Sequence, residues 1–443
     1  MSGISDALHS TANRLLGLER SLAVIQSNVG NASTAGYARQ DLGTGFDVTS
    51  LDFESKSSRD ETAEAAVRRQ NSQLGHFDQL ASTLALVESS FGAGADSEIP
   101  KSIGNLFATF SALSINPNDT GSRQQVLDRA AQLARTFNSA AASLANFIAD
   151  GRRQISATVD SINHLAGLVR DYNISQKSNS GGVASASVDA NLNATLEQLS
   201  EFADVQVLRQ SDGSITLLLN GQSALVVGEN LYEIEADTTS SPQVSIRDAS
   251  GTDITDRISG GRLSGGLKAV NQLLPAYMSG LDQLAQGIAN QVNGQLAAGV
   301  DVYGNPGAAL FRFSIPGAAS TLSFTGIGPG ELAAATAGAA AGNGNALALA
   351  GLETGAVLNG QTFVRFYGSI ASGVGRDVAD GRDNLGFQKQ LLAQARAHRA
   401  ASSGVSLDQE AILLVEYQRA YEATAKLVRI LDQISQETID MLR

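Results

Sequence analysis

The side chains best suited to acid–base or metal chemistry in this sequence are four histidines, His9, His76, His164 and His398. They are far apart, each in a stretch of helical period, and read as ordinary surface or packing residues. Cysteine is absent, which excludes a thiolate nucleophile, thiolate-bound zinc, a cysteine-ligated cluster and a disulfide framework. Asp253, Asp301 and Asn305 carry cation-binding oxygens, but their spacing fits no calcium loop and predicts turns instead. No Gly-Lys dipeptide exists for a phosphate loop, and neither a Gly-x-Ser-x-Gly elbow nor a His-Glu-x-x-His pair occurs. Gly373-Val374-Gly375 lacks the strand and third glycine of a dinucleotide site. No catalytic, metal or cofactor residue is assigned, and the chain is expected not to be an enzyme.

Composition narrows the partners. The 443 residues carry 31 basic and 44 acidic side chains, a net charge of −13, which makes nucleic acid a poor partner. Residues 201–260 hold ten acidic and three basic residues, so −7 of that excess lies in one short region. No window approaches the 18 or more apolar residues of a membrane span. Asp6, Arg14, Glu19 and Arg20 break up residues 1–31, which do not read as a cleavable secretory signal.

Periodicity supplies the elements. Ile4, Leu8, Thr11, Leu15, Leu18, Leu22, Ile25 and Val29 are spaced 4-3-4-3-4-3-4, a heptad stripe on a helix that Gly30–Gly36 should stop. Residues 37–56 read as extended or irregular. A second helix runs from Asp60 to about Ser90, a short third follows Pro100, and Asp119 or Thr120 caps a very long fourth from Gly121 to Gln176. Ser178–Gly182 should end it. Asp212-Gly213 and Asn220-Gly221 between β-rich runs predict hairpins, with more strand at 231–236 and 244–246. Helix returns near Leu263, a strand-like piece spans Phe311 to Phe324, and 326–345 is irregular or weakly helical. Helices then occupy 361–399 and 406 to the end. The last bears two stripes: a seven-residue repeat at Leu413, Ala420, Leu427, Ile434 and Met441, and a neighbouring one at Tyr417, Tyr421, Val428 and Leu431. The expected fold is multidomain and mainly α: N- and C-terminal helices in a coiled-coil or bundle rod, with a small antiparallel β insertion. The divisions are 1–45 plus 405–443, 46–195 plus 262–404, and 196–261. The two ends are expected to be poorly ordered in a free subunit and helical against other subunits.

Two segments carry a family resemblance. Asn28-Val29-Gly30-Asn31-Ala32-Ser33-Thr34-Ala35-Gly36-Tyr37 resembles the Asn-x-x-Asn-x-x-Thr-x-Gly-Tyr signature of rod, hook and hook-associated proteins of the bacterial flagellum. The following Arg39-Gln40 points to the hook-associated protein 1 family, the first hook–filament junction proteins. Ser403-Gly404-Val405-Ser406-Leu407-Asp408-Gln409-Glu410, with Tyr417-Gln418 and Tyr421-Glu422-Ala423, resembles that family's C-terminal signature. Residues 199–228, 261–267 and 281–311 resemble its middle. Ala35 stands where the family often has proline, and Ser406 and Gln409 where it has asparagine and glutamate. Longer members carry an outer β domain between the positions of Phe311 and Glu331, and this chain is too short there to hold it.

The resemblance implies a structural subunit that self-assembles at the hook tip and joins hook to filament. Terminal helices would form the inner layer, helical segments the next, and the β insertion the outside. Its partners would be further copies of itself, hook protein, the second junction protein or flagellin side, and a cytoplasmic export chaperone on the C-terminal helix. Location would be extracellular, by type III export without a cleaved signal and without membrane insertion. Asn28, Asn31, Thr34 and Gly36 would make the turn that stops the first helix, and Tyr37 and Arg39 would touch neighbouring chain or subunit. An intramolecular C-cap is the other reading of the turn. Gly404, Val405, Leu407, Leu413, Tyr417, Tyr421, Leu427 and Ile434 would serve assembly or chaperone binding, with Leu413, Leu427 and Ile434 at the seam with the first helix or on the chaperone. Alternatives are another axial protein, flagellin-like or hook-like, and a secreted wall hydrolase on an axial scaffold.

Overall fold

The computed structural model describes residues 2–42, 55–91, 97–178, 186–339 and 342–441. The heptad stripe forms α1 (Ser2–Asn31), followed by β1 (Gln40–Leu42) paired antiparallel with β2 (Ser55–Ser57). Most of the predicted irregular stretch 37–56 and most of the turn 178–182 lie outside the described residues. Asp60 opens α2 (Glu61–Phe91), its Oδ1 accepting from the amides of Thr62 and Ala63 at 2.9 and 3.1 Å. α3 (Glu98–Ile115) carries Pro100 in its first turn, where the missing N–H costs nothing. Asp119 caps α4 (Thr120–Ser178) by accepting from Ser122 N and Oγ at 2.7 Å. At 59 residues α4 is about 88 Å long.

α5 (Ala186–Phe202) has no counterpart in the sequence reading, although Leu192, Leu196 and Leu199 are spaced 4-3 and buried. Four strands follow, β3 (Val205–Arg209), β4 (Ile215–Leu219), β5 (Ser223–Val227) and β6 (Asn230–Leu231), in sequential antiparallel order. Asn220 and Gly221 both take positive φ, 49° and 69°, the conformation that makes Asn-Gly a tight hairpin. β7 (Glu235–Asp237) pairs with β8 (Ser245–Arg247). α6 (Gly261–Lys268) runs through a π-spaced segment, Ala269–Leu273, into α7 (Leu274–Ala297). The π turn presents Asn271, whose side chain bonds Val244 N and O, both at 2.8 Å. Gly151 of α4 allows this close approach, since a Cβ there would stand 2.5 Å from Val270.

Beyond α7, β9 (Gly299–Val300), β10 (Phe311–Arg312), α8 (Ala318–Thr321), β11 (Ser323–Phe324) and β12 (Ala335–Thr336) form a compact excursion with the pairs β9–β12 and β10–β11. Then come α9 (Gly344–Gly351), α10 (Phe363–Ser403) and α11 (Leu407–Asp440). Asp301 accepts from the amides of Tyr303 and Asn305 at 2.8 Å, and Asp253 from Thr255 N and Oγ1, so both make turns.

Two cores share α4. Its first half packs with α3, α7, α9 and parts of α2 and α10 around Phe107, Phe110, Phe137 and Phe363. Its second half, from Ile155 to Val169, packs with α5, α6 and the strands. Ile215, Leu217 and Leu219 of β4 belong to that same cluster, so the β insertion shares a helical core and has none of its own. Among the described residues, neither core includes any from α1 or α11.

Of the histidines, only His76 is withdrawn from solvent; His9, His164 and His398 are exposed. Its Nδ1 is 3.1 Å from Ser264 Oγ, and burial, with Lys268 nearby, pulls its pKa down to about 4 from an ordinary 6.5. A folded pKa below the unfolded one means that the unfolded chain binds the proton first as pH falls. The stabilisation is therefore full above pH 6.5 and lost on descending through 4, by about 3 kcal/mol. His76→Gln should remove that part of the pH dependence of urea unfolding between pH 6.5 and 4.

Candidate assembly site at the neck

α1 and α11 pair with each other and reach the body through three short segments: 36–41, 55–60 and 403–410. The turn after α1 is built by the signature residues. Asn28, 1% exposed, accepts from Gln40 N and from the Tyr37 hydroxyl, both at 2.9 Å, and donates to Gln40 O at 3.0 Å. Asn31 Nδ2 donates to Ser27 O, and Thr34 Oγ1 donates to Asn31 Oδ1. Gly36 has φ +73°, and a Cβ would lie 2.2 Å from Ala190 O of α5. Left-handed backbone and close approach together require glycine there. The bonds that close this turn lie within one chain.

Tyr37 and Arg39 contact other segments of their own chain. Burial raises the Tyr37 pKa, against a hydrogen bond from Ser27, and the Glu410 charge adds to the rise. Arg39 Nε donates to Glu410 Oε1 at 2.8 Å, and its Nη2 is 3.2 Å from Asp41 Oδ1. The bond to Glu410 raises the Arg39 pKa against the opposing effect of burial. Arg39 N donates to Ser403 O at 2.9 Å, Ser58 N and Oγ both donate to Arg39 O at 2.8 Å, and Asp60 N donates to Ser403 Oγ at 2.9 Å. The two crossings of the neck are thus stitched to each other.

Beneath them lies an ionic network absent from the sequence reading. Arg59 donates to Glu64 at 2.6 Å, to Asp189 at 2.8 Å and to the Gly36 carbonyl at 2.7 Å. Glu64 also takes Arg399 at 3.2 Å, and Arg399 and Arg396 converge on Glu197 at 2.6 and 2.8 Å. Burial pushes Glu197 up, but bonds and charge from Arg399 and Arg396 outweigh it and hold the carboxyl below its usual range.

On α11, Gly404 ends α10, with its amide bonding Ala400 O, and Val405 is half-buried. Leu413 and Tyr417 face α1 across a shared cavity, and the Tyr421 hydroxyl donates to Glu19 Oε1 at 3.0 Å. Leu407, Leu427 and Ile434 are exposed, the last two by 49% and 43%. Of the three residues assigned to the seam or the chaperone, only Leu413 lies at the seam within the subunit. The cause is helical pitch: at 3.6 residues per turn a seven-residue stripe drifts about 20° per heptad. It leaves the seam as it advances from Leu413 to Met441, while Tyr417, Tyr421, Val428 and Leu431 stay half-buried. Ile412, Val415, Leu427, Ile430, Ile434 and Met441 are left as a separate exposed stripe.

Residues 84–311 match the family model described as the flagellar hook-associated protein FlgK helical domain. The chain belongs to this family. Residues 398–441 match the C-terminal model of the flagellar basal body rod FlgEFG proteins, covering the end of α10 and all of α11. Among relatives of the family, flagellar hook-associated protein 1 of Bacillus subtilis is 25% identical, with 97% of each chain covered. That of Salmonella typhimurium is 22% identical over 71% of this chain, which spans 60% of that relative. The flagellar hook junction protein FlgK of Burkholderia pseudomallei shares the fold at a TM-score of 0.70 and 16% identity, covering 76% of this chain and 99% of that one.

Proposed function

We propose that the protein is a structural subunit of the flagellar axis that assembles with copies of itself at the hook tip and joins hook to filament. The observation that carries this reading is the separation of the terminal pair from both cores, with an exposed apolar stripe on α11. A subunit whose terminal helices bury little within their own chain gains that burial from neighbours. Two observations support the reading: the family's relatives bear the name hook-associated protein 1, and residues 398–441, which include this helix, are similar to the C-terminal part of flagellar rod proteins.

The terminal pair would form the inner layer, the two-core body the next, and the acidic strands the surface facing water. Hook protein would lie on one side and the second junction protein or flagellin on the other. Before export, through a type III route with no cleaved signal, the free stripe would be covered by a cytoplasmic chaperone. The protein's role is mechanical rather than enzymatic.

Among the described residues of α11 only Glu410 is fully buried, so the pair is held mainly by half-buried contacts. Amide hydrogen exchange should show residues 4–29 weakly protected in free monomer and strongly protected after incorporation on hooks. Strong protection in the monomer would count against assembly as the source of their order.

A further inference from the structure

A cavity of about 510 Å³ opens at the neck between α1, the β1–β2 ladder and the start of α11. Its wall has two kinds of surface. Val24, Ile25, Leu413 and Tyr417 supply an apolar side, and Ser57 and Glu410 supply polar groups. Both polar groups are incompletely used: Ser57 Oγ and Glu410 Oε2 are buried and have no hydrogen-bond partner among the described residues. Glu410 is wholly buried, the setting in which an unmet carboxylate oxygen is most costly. Arg39 is divided between Glu410 and Asp41, so this triad carries one excess negative charge. Lys56 stands exposed on the rim.

An apolar wall leading to a buried carboxylate and a hydroxyl suits a long basic side chain, with methylenes on the wall and donors at the end. The β1–β2 connection cannot supply one, since residues 43–54 contain neither lysine nor arginine. Exposed basic residues do stand on the terminal helices: Arg14, Arg419, Lys426 and Arg429. The free stripe of α11 also begins here, since Ile412 and Val415 flank the wall residue Leu413. We propose that the neck cavity is a socket for an arginine or lysine from the terminal helices of a second copy of this chain. The inference rests on the self-assembly reading and adds a specific contact to it.

The test uses full-length protein pelleted with isolated hooks, and the absence of cysteine lets single introduced thiols be cross-linked cleanly. Val24→Phe, which fills the cavity from its apolar wall, should leave the monomer's thermal unfolding unchanged and abolish pelleting. Copies bearing Ser57→Cys, mixed with copies bearing Arg14→Cys, Arg419→Cys, Lys426→Cys or Arg429→Cys, should be joined at one of the four by a short bis-maleimide, which spans the length of the side chain removed; a direct disulfide is too short to do so. A Glu19→Cys, Tyr421→Cys double variant serves as the intramolecular control for cross-linking. If wild type pellets but Val24→Phe pellets equally and no cross-link between copies forms, the socket is refuted while self-assembly stands. If wild type itself does not pellet with hooks, the self-assembly reading fails first.

Discussion

Deleting residues 406–443 is expected to abolish incorporation at the hook tip and leave cells without filaments, while the remaining chain keeps its fold. The expectation follows from where the burial lies. Among the described residues, those of both cores fall between Leu80 and Val378, and none comes from α11. The deletion removes Glu410, but Arg39 keeps Asp41, which is itself partly solvated. Little is therefore left uncompensated in the body. What disappears is the partner face of α1 and the free stripe from Ile412 to Met441. Circular dichroism should show the loss of one helix with the main unfolding transition preserved. Normal filaments on such a strain would refute the role assigned to α11.

Replacing Glu64 with alanine is expected to destabilise the body by about 3–5 kcal/mol, the usual cost of removing one partner from a buried ion pair. Glu64 is 4% exposed and accepts from two arginines, Arg59 and Arg399. Arg59 has few alternatives, because its side chain is also buried and its other bonds, to Asp189 and Gly36, are already made. The loss should reach the neck as well, because Arg59 holds the carbonyl at which the chain leaves α1. Urea denaturation would give the stability change, and exchange at Gly36–Gln40 the local one. Glu88→Ala, which breaks an exposed pair with Arg382, should change neither measurably.

Sequence patterns carried the helices and turns that depend on neighbours along the chain. The 4-3 stripe of α1, Asp119 before α4 and the Asn220-Gly221 hairpin each rest on contacts within a few residues, where spacing and φ preference decide the outcome. α5 escaped because its three leucines are embedded among alanine, asparagine and serine, which weaken the apolar stripe. The neck was half legible. Asn28, Asn31, Thr34 and Gly36 stood out as turn formers, while the residue that Arg39 meets within the chain could not be named. The carboxylate that takes Arg39 lies 371 residues away, and nothing local distinguishes Glu410 from an ordinary acid in a first helical turn. The seam of α11 posed a different difficulty. Two apolar stripes run side by side there, and only the position of α1 decides which is covered. Glu64 and Arg399 were illegible for the same reason as Glu410, since charged residues on helices usually face water.

The central claim is tested most directly by electron microscopy of flagella carrying this protein with a label on the hairpin turn Asp212-Gly213. Label confined to a short zone at the distal end of the hook, retained on filament-less hooks, is the predicted result. Label along the filament, along the hook shaft, or absent from purified flagella would contradict it.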